Sequence, residues 1–439
     1  MDIEREDREG SDDNLEEDGG GGSGGDVVAA AAADLPPTED SGGDADVESE
    51  GELYDIGLAA AHSYMSAGLK SVSGRSVLEA GWRGRVPVMA HHGCVFPGET
   101  VPMLLPDASD AQLLAQAIKH NRLFGFLCPD ETGSVESGYG VLCEVYEAGM
   151  DEDEENPTSI TFMARANHRF RLTRMPKLSV PINAFNRMYF EEVMVLPETS
   201  TCDTLGAARL HSLDPLRSPR CLRSREGGRR VRVLEAAATP WPLFVHDIFD
   251  YQRMRTTLRE YFKSIMLDKL PEDPVSLSFW VASNMALSPR DRLALFVVDN
   301  ALLRLHMECR LIKRTSVLCC GVCLAELSRR SSMLPMSSEG VHANYVNLGG
   351  YMHELLTVSR TTNTSASGAP SAEYSWFPGY AWTIATCASC NSHVGWRFVA
   401  LKHTLRPQHF YGLCRNKIRP RAERDELDDG RDSPPLHLA

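Results

Sequence analysis

The amino-acid sequence predicts an α+β protein of several domains: a β-rich domain, a helical middle region and an all-β C-terminal domain held by zinc, preceded by a disordered acidic tail. Three observations predict this arrangement. Acidic side chains are concentrated near the N-terminus, the apolar pattern changes from strand-like to helical after about residue 200, and two Cys-x-x-Cys pairs follow. The predicted boundaries are 1–80 for the tail, 81–200, 201–313 and 314–420 for the three folded parts, and 421–439 for a second disordered tail.

Residues 1–80 have the composition of a disordered segment. Residues 1–55 contain 20 Asp and Glu but 2 Arg, whereas the whole chain of 439 residues has a net charge of −15. Such a segment buries too little apolar surface to offset its conformational entropy. We expect a solvated spacer, with an acidic interaction tail as the alternative. The remainder of the chain is close to neutral, so its charge does not indicate a class of partner.

The cysteine content and the N-terminal sequence predict a reducing compartment. The N-terminus is acidic and lacks the apolar stretch of a signal peptide, and the chain has no run of about 18 apolar residues that could span a membrane. Twelve cysteines in such a chain are expected to be metal ligands and buried thiols instead of disulfides. We therefore expect the protein in the cytoplasm and the nucleus.

The first folded part, 81–200, is predicted to be β-rich with one or two helices. Short apolar or alternating runs predict strands at Arg85–Met89, Leu123–Leu127, Ile160–Met163 and His168–Leu172. Ala108–Lys119 has apolar side chains at helical spacing and predicts one helix.

The second folded part, 201–313, is predicted to be helical. Apolar side chains recur every three or four residues across Pro242–Leu270, and Ser288-Pro289 has the composition of a helix start that could continue through Ile312. Seven arginines lie between Arg217 and Arg232. A solvated loop is preferred there over a nucleic-acid-binding arm, because no aromatic side chains alternate with the arginines.

Two Cys-x-x-Cys pairs predict one structural zinc ion. Cys320 with Cys323 and Cys387 with Cys390 would supply four thiolates, a ligand set that structural zinc prefers, and 63 residues separate the pairs. The ion would therefore join distant segments into one domain, and four thiolates leave no coordination position for catalysis. Redox or incidental thiols are the alternative, and His393 could replace one thiolate.

Three tryptophans, Trp376, Trp382 and Trp396, lie close to the second cysteine pair. Phe398 would share a strand face with Trp396, because alternate side chains of a strand point to the same side. Converging indoles can hold a flat or cationic ligand by stacking. The same side chains could instead form the core of a small domain, and the residue types leave both interpretations open.

The C-terminal region resembles the cereblon family. The residues that carry the resemblance are Asn347, Tyr351, His353-Glu354, Leu356–Val358, Glu373–Trp382 and Cys387–Phe398. Further similarity is found at Val86–Val88 and Phe96–Pro102, which look like the family's Lon-protease N-terminal-type domain, and at Trp241-Pro242, which looks like the start of a middle helix. The resemblance covers roughly residues 80–420.

The resemblance implies a substrate-recognition subunit of a cullin-4 RING E3 ubiquitin ligase that has no catalytic activity of its own. Its helical region would dock on the β-propeller adaptor of the ligase. Its C-terminal CULT domain, the thalidomide-binding domain, would capture small cyclic imides or degrons of substrate proteins for ubiquitination and proteasomal degradation. Nucleic acids and membrane insertion are not implied.

The ligand site that the resemblance implies comprises Asn347, Tyr374, Ser375, Trp376, Trp382, Trp396 and Phe398. The three tryptophans would form a cage, with the phenylalanine as a further wall. Tyr374 stands where the family usually has a histidine that meets the imide largely through its backbone, and Gly349 stands where vertebrate relatives have a histidine. The tyrosine is expected to spare recognition of the imide and to alter the rim of the pocket, and both departures bear on the preference for large drug-like imides.

Two other functions remain open on the residues alone. A methionine sulfoxide reductase of the B type would share a zinc-bound β fold, and Cys414 would be its nucleophile. A methyl-lysine reader would use the aromatic cage for a quaternary ammonium group, with Glu373 as the nearby carboxylate. Lon-type proteolysis is not expected, because the chain has no Gly-x4-Gly-Lys-Ser/Thr phosphate loop.

Overall fold

A computed structural model describes residues 51–65, 68–74, 76–150, 157–174, 187–200, 210–217 and 224–422. Most of the acidic tail and the residues after 422 lie outside these ranges. The strands are β1 Glu52–Leu53, β2 Lys70–Ser71, β3 Arg83–Ala90, β4 Thr100–Leu105, β5 Leu123–Leu127, β6 Tyr139–Met150, β7 Ile160–Leu172, β8 Tyr189–Val195, β9 Val317–Cys320, β10 Glu326–Arg329, β11 His342–Val346, β12 Met352–Val358, β13 Thr364–Ser371, β14 Tyr380–Cys387, β15 His393–Ala400, β16 Leu405–Arg406, β17 His409–Cys414 and β18 Ile418–Arg421.

The α-helices are α1 Gly57–Ala60, α2 Ala108–His120, α3 Arg225–Ala238, α4 Leu243–Phe249, α5 Tyr251–Lys263, α6 Pro274–Asn284, α7 Pro289–Phe296 and α8 Ala301–Leu311. Short 3₁₀ helices are found at His211–Arg217, Ile312–Arg314, Arg330–Ser332 and Arg415–Lys417. Within the described ranges, no helix is long and apolar enough to cross a bilayer.

Five strands of the first folded part close into a barrel. β3, β5, β6, β7 and β8 each pair with two of the others, and β4 and β2 extend the sheet from β7 and β6. The two strands predicted at residues 160–163 and 168–172 are parts of the single strand β7, which pairs with β6 along its length. The predicted helix is α2, whose start is capped by the Asp107 carboxylate accepting the Ser109 N–H at 2.9 Å.

The helical middle region differs from its prediction at two breaks. Pro242–Leu270 is helical as predicted, but it forms two helices, α4 and α5, because Asp250 leaves helical geometry (φ −76°, ψ 78°) and accepts the Arg253 N–H at 3.1 Å. Ser288 does begin a helix, but that helix ends at Phe296. Asn300 then caps the separate helix α8.

The arginine-rich segment is partly helical, so the prediction of a solvated loop is wrong for its described C-terminal part. Arg225 begins α3, which Ser224 caps by accepting the Gly227 N–H at 2.9 Å. Arg232 lies 2.8 Å from the Asp247 carboxylate of α4. A local cap and an ion pair to the next helix therefore order a segment whose composition alone indicated a loop.

The C-terminal domain contains two antiparallel sheets. Six strands have the order β11-β12-β17-β15-β14-β13, and three have the order β10-β9-β18. Together with the barrel and the helices, these sheets confirm the predicted fold class of a β-rich domain, a helical region and a zinc-binding β domain.

The prediction that disorder extends to residue 80 is wrong for the described residues from 51 onward. β1 pairs in parallel with β16 of the C-terminal domain. Tyr54 is buried, with its ring 5.3 Å from that of Tyr380, and the Tyr64 hydroxyl accepts the Val346 N–H at 3.1 Å. These aromatic side chains supply enough apolar surface for the segment to dock on the C-terminal domain, although acidic residues dominate the composition of the predicted tail.

A buried polar network joins the barrel and helices to the C-terminal domain. Glu99 accepts hydrogen bonds from Ser283 Oγ at 2.6 Å and Asn344 Nδ2 at 3.1 Å, and His342 Nε2 lies 3.4 Å away. Burial acts to raise the pKa of Glu99, but His342 and Arg292 more than offset it, so the pKa lies below its ordinary value. Glu99 is therefore an anion of the β-rich domain that groups from the helical region and the C-terminal domain satisfy.

Candidate functional site

The four predicted cysteines converge on one point. Their Sγ atoms all lie within 4.8 Å of one another, with 3.7 Å between Cys320 and Cys390 and 3.5 Å between Cys323 and Cys387. A tetrahedral site with Zn–S bonds of about 2.3 Å requires sulfur atoms about 3.8 Å apart. The four thiolates therefore fit one structural zinc ion. His393 is not part of the group, and no second group of this kind occurs among the described residues.

Two similar turns present the zinc ligands. Each turn closes with a hydrogen bond to the carbonyl of its first cysteine: Leu324 N–H donates to Cys320 at 3.0 Å, and Asn391 N–H donates to Cys387 at 2.8 Å. Leu324 and Asn391 both adopt left-handed backbone geometry, with φ of 61° and 56°. One turn follows β9 and the other follows β14, so the ion joins the two sheets of the domain.

The aromatic residues of β14 and β15 lie on one face of the six-stranded sheet. Trp382 is directly opposite Phe398, and Trp396 stands two residues from Phe398 on the same strand. Gly412 of β17 is opposite Trp396. A Cβ atom at Gly412 would lie 2.9 Å from Leu355 and 3.2 Å from Phe398. The glycine therefore leaves space for the large rings on this face.

The third tryptophan comes from the loop before β14. The Trp376 ring stands at 76° to that of Trp396, with centroids 4.8 Å apart. Its Nε1 donates to the Val346 carbonyl at 3.1 Å, and Trp382 Nε1 donates to the Glu373 carbonyl at 2.8 Å. Because the backbone already satisfies these indole N–H groups, the rings offer apolar faces to a ligand.

Phe398 lies beneath the tryptophans in the core. It is 1% exposed, and its ring centroid is 4.7 Å from that of Phe377 and 4.9 Å from that of Phe410. Trp376, at 7% exposure, also belongs to this core. Core and cage are thus continuous, and the side chains that support the fold also shape the face where a ligand is predicted.

The loop carrying Tyr374 and Ser375 has polar backbone groups available. Tyr374 has a left-handed φ of 52°, and its side chain is 45% exposed. Among the described residues, its N–H and C=O have no hydrogen-bond partner. The Ser375 hydroxyl instead binds the backbone of Phe377, donating to its carbonyl at 3.1 Å. The predicted role of both residues as ligand contacts remains a prediction.

Asn347 shapes the turn between β11 and β12 and orients His353. Its Oδ1 accepts the Tyr351 N–H at 2.9 Å, and its Nδ2 lies 3.4 Å from His353 Nε2. The His353 ring is 5.5 Å from the ring of Trp376 and 4.9 Å from that of Trp396. The predicted site omitted this histidine, although the strand pattern of β12 could have indicated it, since alternation turns His353 away from buried Glu354.

His353 is neutral in this setting. Burial and then the neighbouring His393, His91 and His92 lower its pKa to about 3. The candidate ligand site is therefore an uncharged aromatic cage with a neutral imidazole at its edge.

Two family models match the chain. The model of the ATP-dependent protease La (LON) substrate-binding domain matches residues 85–314, which include the barrel and the described helices from α2 onward. The model of the Yippee zinc-binding/DNA-binding/Mis18, centromere assembly family matches residues 316–425, which include both sheets of the zinc domain.

Curated relatives match nearly the whole chain. The protein cereblon of Xenopus tropicalis is 31% identical over 407 residues, covering 89% of this chain and 91% of the relative. The protein cereblon of Gallus gallus is 30% identical, covering 87% of this chain and 88% of the relative. The protein cereblon of Danio rerio is 31% identical, covering 87% and 91%.

Proposed function

Because the chain belongs to the cereblon family, we propose that it is the substrate-recognition subunit of a cullin-4 RING E3 ubiquitin ligase. It binds a cyclic imide, carried by a degron or a small ligand, in the cage of Trp376, Trp382 and Trp396. It thereby brings substrate proteins to the ligase for ubiquitination and proteasomal degradation, and it performs no catalysis itself. One observation carries the ligand proposal: the Trp376 and Trp396 rings meet at 76°, and the indole N–H groups of Trp376 and Trp382 are already bonded to backbone carbonyls.

The chemistry of a cyclic imide suits this cage. A glutarimide ring is neutral, presents flat apolar faces, and has one N–H between two carbonyls at its edge. The indole faces accept such a ring by stacking, and a few fixed polar groups suffice to orient it. The unpartnered N–H and C=O of Tyr374 are candidates for pairing with the imide edge. Recognition through the backbone tolerates the tyrosine that replaces the family's histidine.

The helical region provides a surface for the β-propeller adaptor. Large apolar side chains are exposed at Leu216, Val233, Leu234, Trp241 and Phe244. Exposed apolar residues gathered in one region are typical of protein interfaces. Their location supports docking of the adaptor away from the imide cage. We further propose that the protein acts in the cytoplasm and the nucleus.

A methionine sulfoxide reductase is disfavoured by the environment of Cys414. Its side chain is 3% exposed, and burial raises its pKa to about 12. A catalytic thiol needs a lowered pKa and access to the substrate, and Cys414 has neither.

A methyl-lysine reader is disfavoured by the charges near the cage. A trimethylammonium group is best held where a carboxylate joins the aromatic rings. The nearby Glu373 is exposed, and at the edge of the cage burial lowers the pKa of His353, with smaller contributions from neighbouring histidines and Lys417. A neutral imide therefore suits the charges around the cage better than a cation does.

Titration of the zinc-loaded full-length protein with glutarimide and with trimethyl-lysine separates these functions. Tryptophan fluorescence reports on the cage directly, and calorimetry supplies the affinity. We expect saturable binding of the imide and none of the cation at the same concentration. Binding of trimethyl-lysine without binding of the imide would overturn the proposal.

A further inference from the structure

A cleft of about 280 Å³ lies beside the aromatic cage. The cleft is lined by Tyr351, His353, His393, Cys414, Asn416 and Lys417. None of these residues is acidic, and most offer hydrogen-bond donors. The cleft therefore has room for a polar group of a ligand that also occupies the cage.

The charge of the cleft comes from Lys417. Burial is the largest effect on both histidines, lowering the pKa of His353 to about 3 and lowering that of His393, so both rings are neutral at pH 7. Asn347 Nδ2 donates to His353 Nε2, which assigns the proton of that ring to Nδ1. The cleft thus combines one ammonium group with the His353 imidazole and the Asn416 amide as donors, while the His393 ring donates to the Gly395 carbonyl. Lys417 and Asn416 are exposed to an incoming ligand.

The carboxylate of Glu354, next to His353 in sequence, points elsewhere. Glu354 follows His353 on β12, so its side chain extends from the opposite face of the strand. Its Oε1 lies 3.5 Å from Arg292 Nη2, and its carboxylate occupies the space that a Cβ atom at Gly93 would fill. Glu354 is therefore committed to the buried network and does not neutralise Lys417.

The cleft and the cage share a wall. The Trp396 ring is 4.9 Å from that of His353 and 4.8 Å from that of His393, both of which line the cleft. On the cage side, the Trp376 ring is 4.8 Å from that of Trp396. The Trp396 ring thus separates the cage from the cleft. A ligand can span the width of one aromatic ring with a few covalent bonds.

We infer that the cleft of His353, His393, Asn416 and Lys417 binds a carboxylate on the same degron or ligand whose imide occupies the cage. This inference rests on the proposed function and adds a preference: a degron with an acidic side chain next to its terminal imide binds more tightly than a neutral one. The imide supplies the apolar contacts, and the carboxylate accepts hydrogen bonds from the ammonium, imidazole and amide groups.

Matched peptides test the inference. Three peptides ending in a glutarimide, with Glu, Gln or Lys as the preceding residue, are titrated into the zinc-loaded full-length protein alongside glutarimide alone. We expect the Glu peptide to bind about threefold to tenfold more tightly than the Gln peptide and the Lys peptide to bind weakest, a range suited to a partly exposed charge pair. The advantage of Glu should shrink at high salt, since an exposed pair is screened.

Two charge reversals locate the effect. Lys417→Glu should abolish or invert the ratio of the Glu and Gln affinities, whereas Lys402→Glu, a reversal at another exposed lysine, should leave the ratio unchanged. An equal affinity for the Glu and Gln peptides, or a ratio that survives Lys417→Glu, overturns the inference. If glutarimide alone fails to bind, the proposed function fails first, so the two failures are distinguishable.

Discussion

Individual residues of the candidate site serve the fold and the predicted ligand at once. Trp376 and Phe398 are buried in the core of the zinc domain, yet they also form the base of the aromatic face. Trp382 is half-buried, and its indole N–H is fixed to the Glu373 carbonyl. Trp382 is therefore the tryptophan whose loss should remove a wall of the cage at the smallest cost in stability.

Trp382→Ala should weaken binding of glutarimide by about thirtyfold or more, because a central aromatic contact dominates such a site. Calorimetry on the purified variant measures this loss, and binding to the β-propeller adaptor should persist because the helical surface is untouched. Trp241→Ala is the matched control: it removes an exposed indole from the helical region and should leave imide affinity unchanged. Loss of both interactions in Trp382→Ala would indicate global destabilisation and contradict this assignment.

At the scale of elements, the zinc turns hold the two sheets of the C-terminal domain together. Cys320 ends β9 of the three-stranded sheet, and Cys387 ends β14 of the six-stranded sheet. The tryptophans stand on β14, on β15 and in the loop before β14. The ion therefore stabilises the strands that present the cage without taking part in ligand chemistry.

Cys390→Ser should unfold the C-terminal domain. Because the site does not exist in the unfolded chain, the free energy of zinc binding contributes directly to folding. In small zinc domains it is of the order of 10 kcal/mol. Zinc content and near-ultraviolet circular dichroism of the variant measure the effect. Cys414→Ser removes a buried thiol outside the metal site and should retain both zinc and fold. A soluble, folded Cys390→Ser protein that lacks zinc would refute the structural role of the ion.

The segment containing β1 and α1 is a second stabilising element. Tyr54 and Ala59 are buried in the same core cluster as Trp376, and Tyr64 packs against it. Truncation should therefore depend on where it ends. Removing residues 1–50 should leave the melting temperature unchanged, because their acidic, glycine-rich composition is that of a solvated spacer.

Removing residues 1–70 should lower the free energy of unfolding by about 3 kcal/mol or more, since the core cluster loses the packing of two tyrosines and an alanine. Thermal unfolding of the two truncated proteins measures the difference. Equal melting temperatures would show that the segment contributes nothing to the stability of the C-terminal domain.

At the scale of the whole molecule, polar groups fix the C-terminal domain against the barrel and the helices. Glu99 of the β-rich domain is bound by groups from the helical region and the C-terminal domain, and Arg415 donates to the carbonyls of Ser283 and Met285. A side chain at Gly350, in the turn between β11 and β12, would collide with the carbonyl of Leu104 in β4. The turn that orients His353 is therefore shaped by the barrel as well as by its own strands.

Sequence reasoning succeeded where local chemistry is restrictive. Four thiolates in two pairs admit few arrangements, and the zinc ligands were predicted from spacing alone. Residue types could not decide between cage and core, because Trp376 and Phe398 are part of both. The break at Asp250 and the order at Tyr54 were missed for a related reason: single caps and long-range contacts outweigh the average composition of a window.

Co-purification with the β-propeller adaptor of a cullin-4 ligase tests the central claim most directly. The full-length chain is co-expressed with the adaptor, captured, and separated by size-exclusion chromatography, with a parallel assay of zinc content. A stable complex of equal stoichiometry that still binds glutarimide is the predicted result. A folded, zinc-loaded chain that binds the imide but never associates with the adaptor would contradict its role as a substrate receptor.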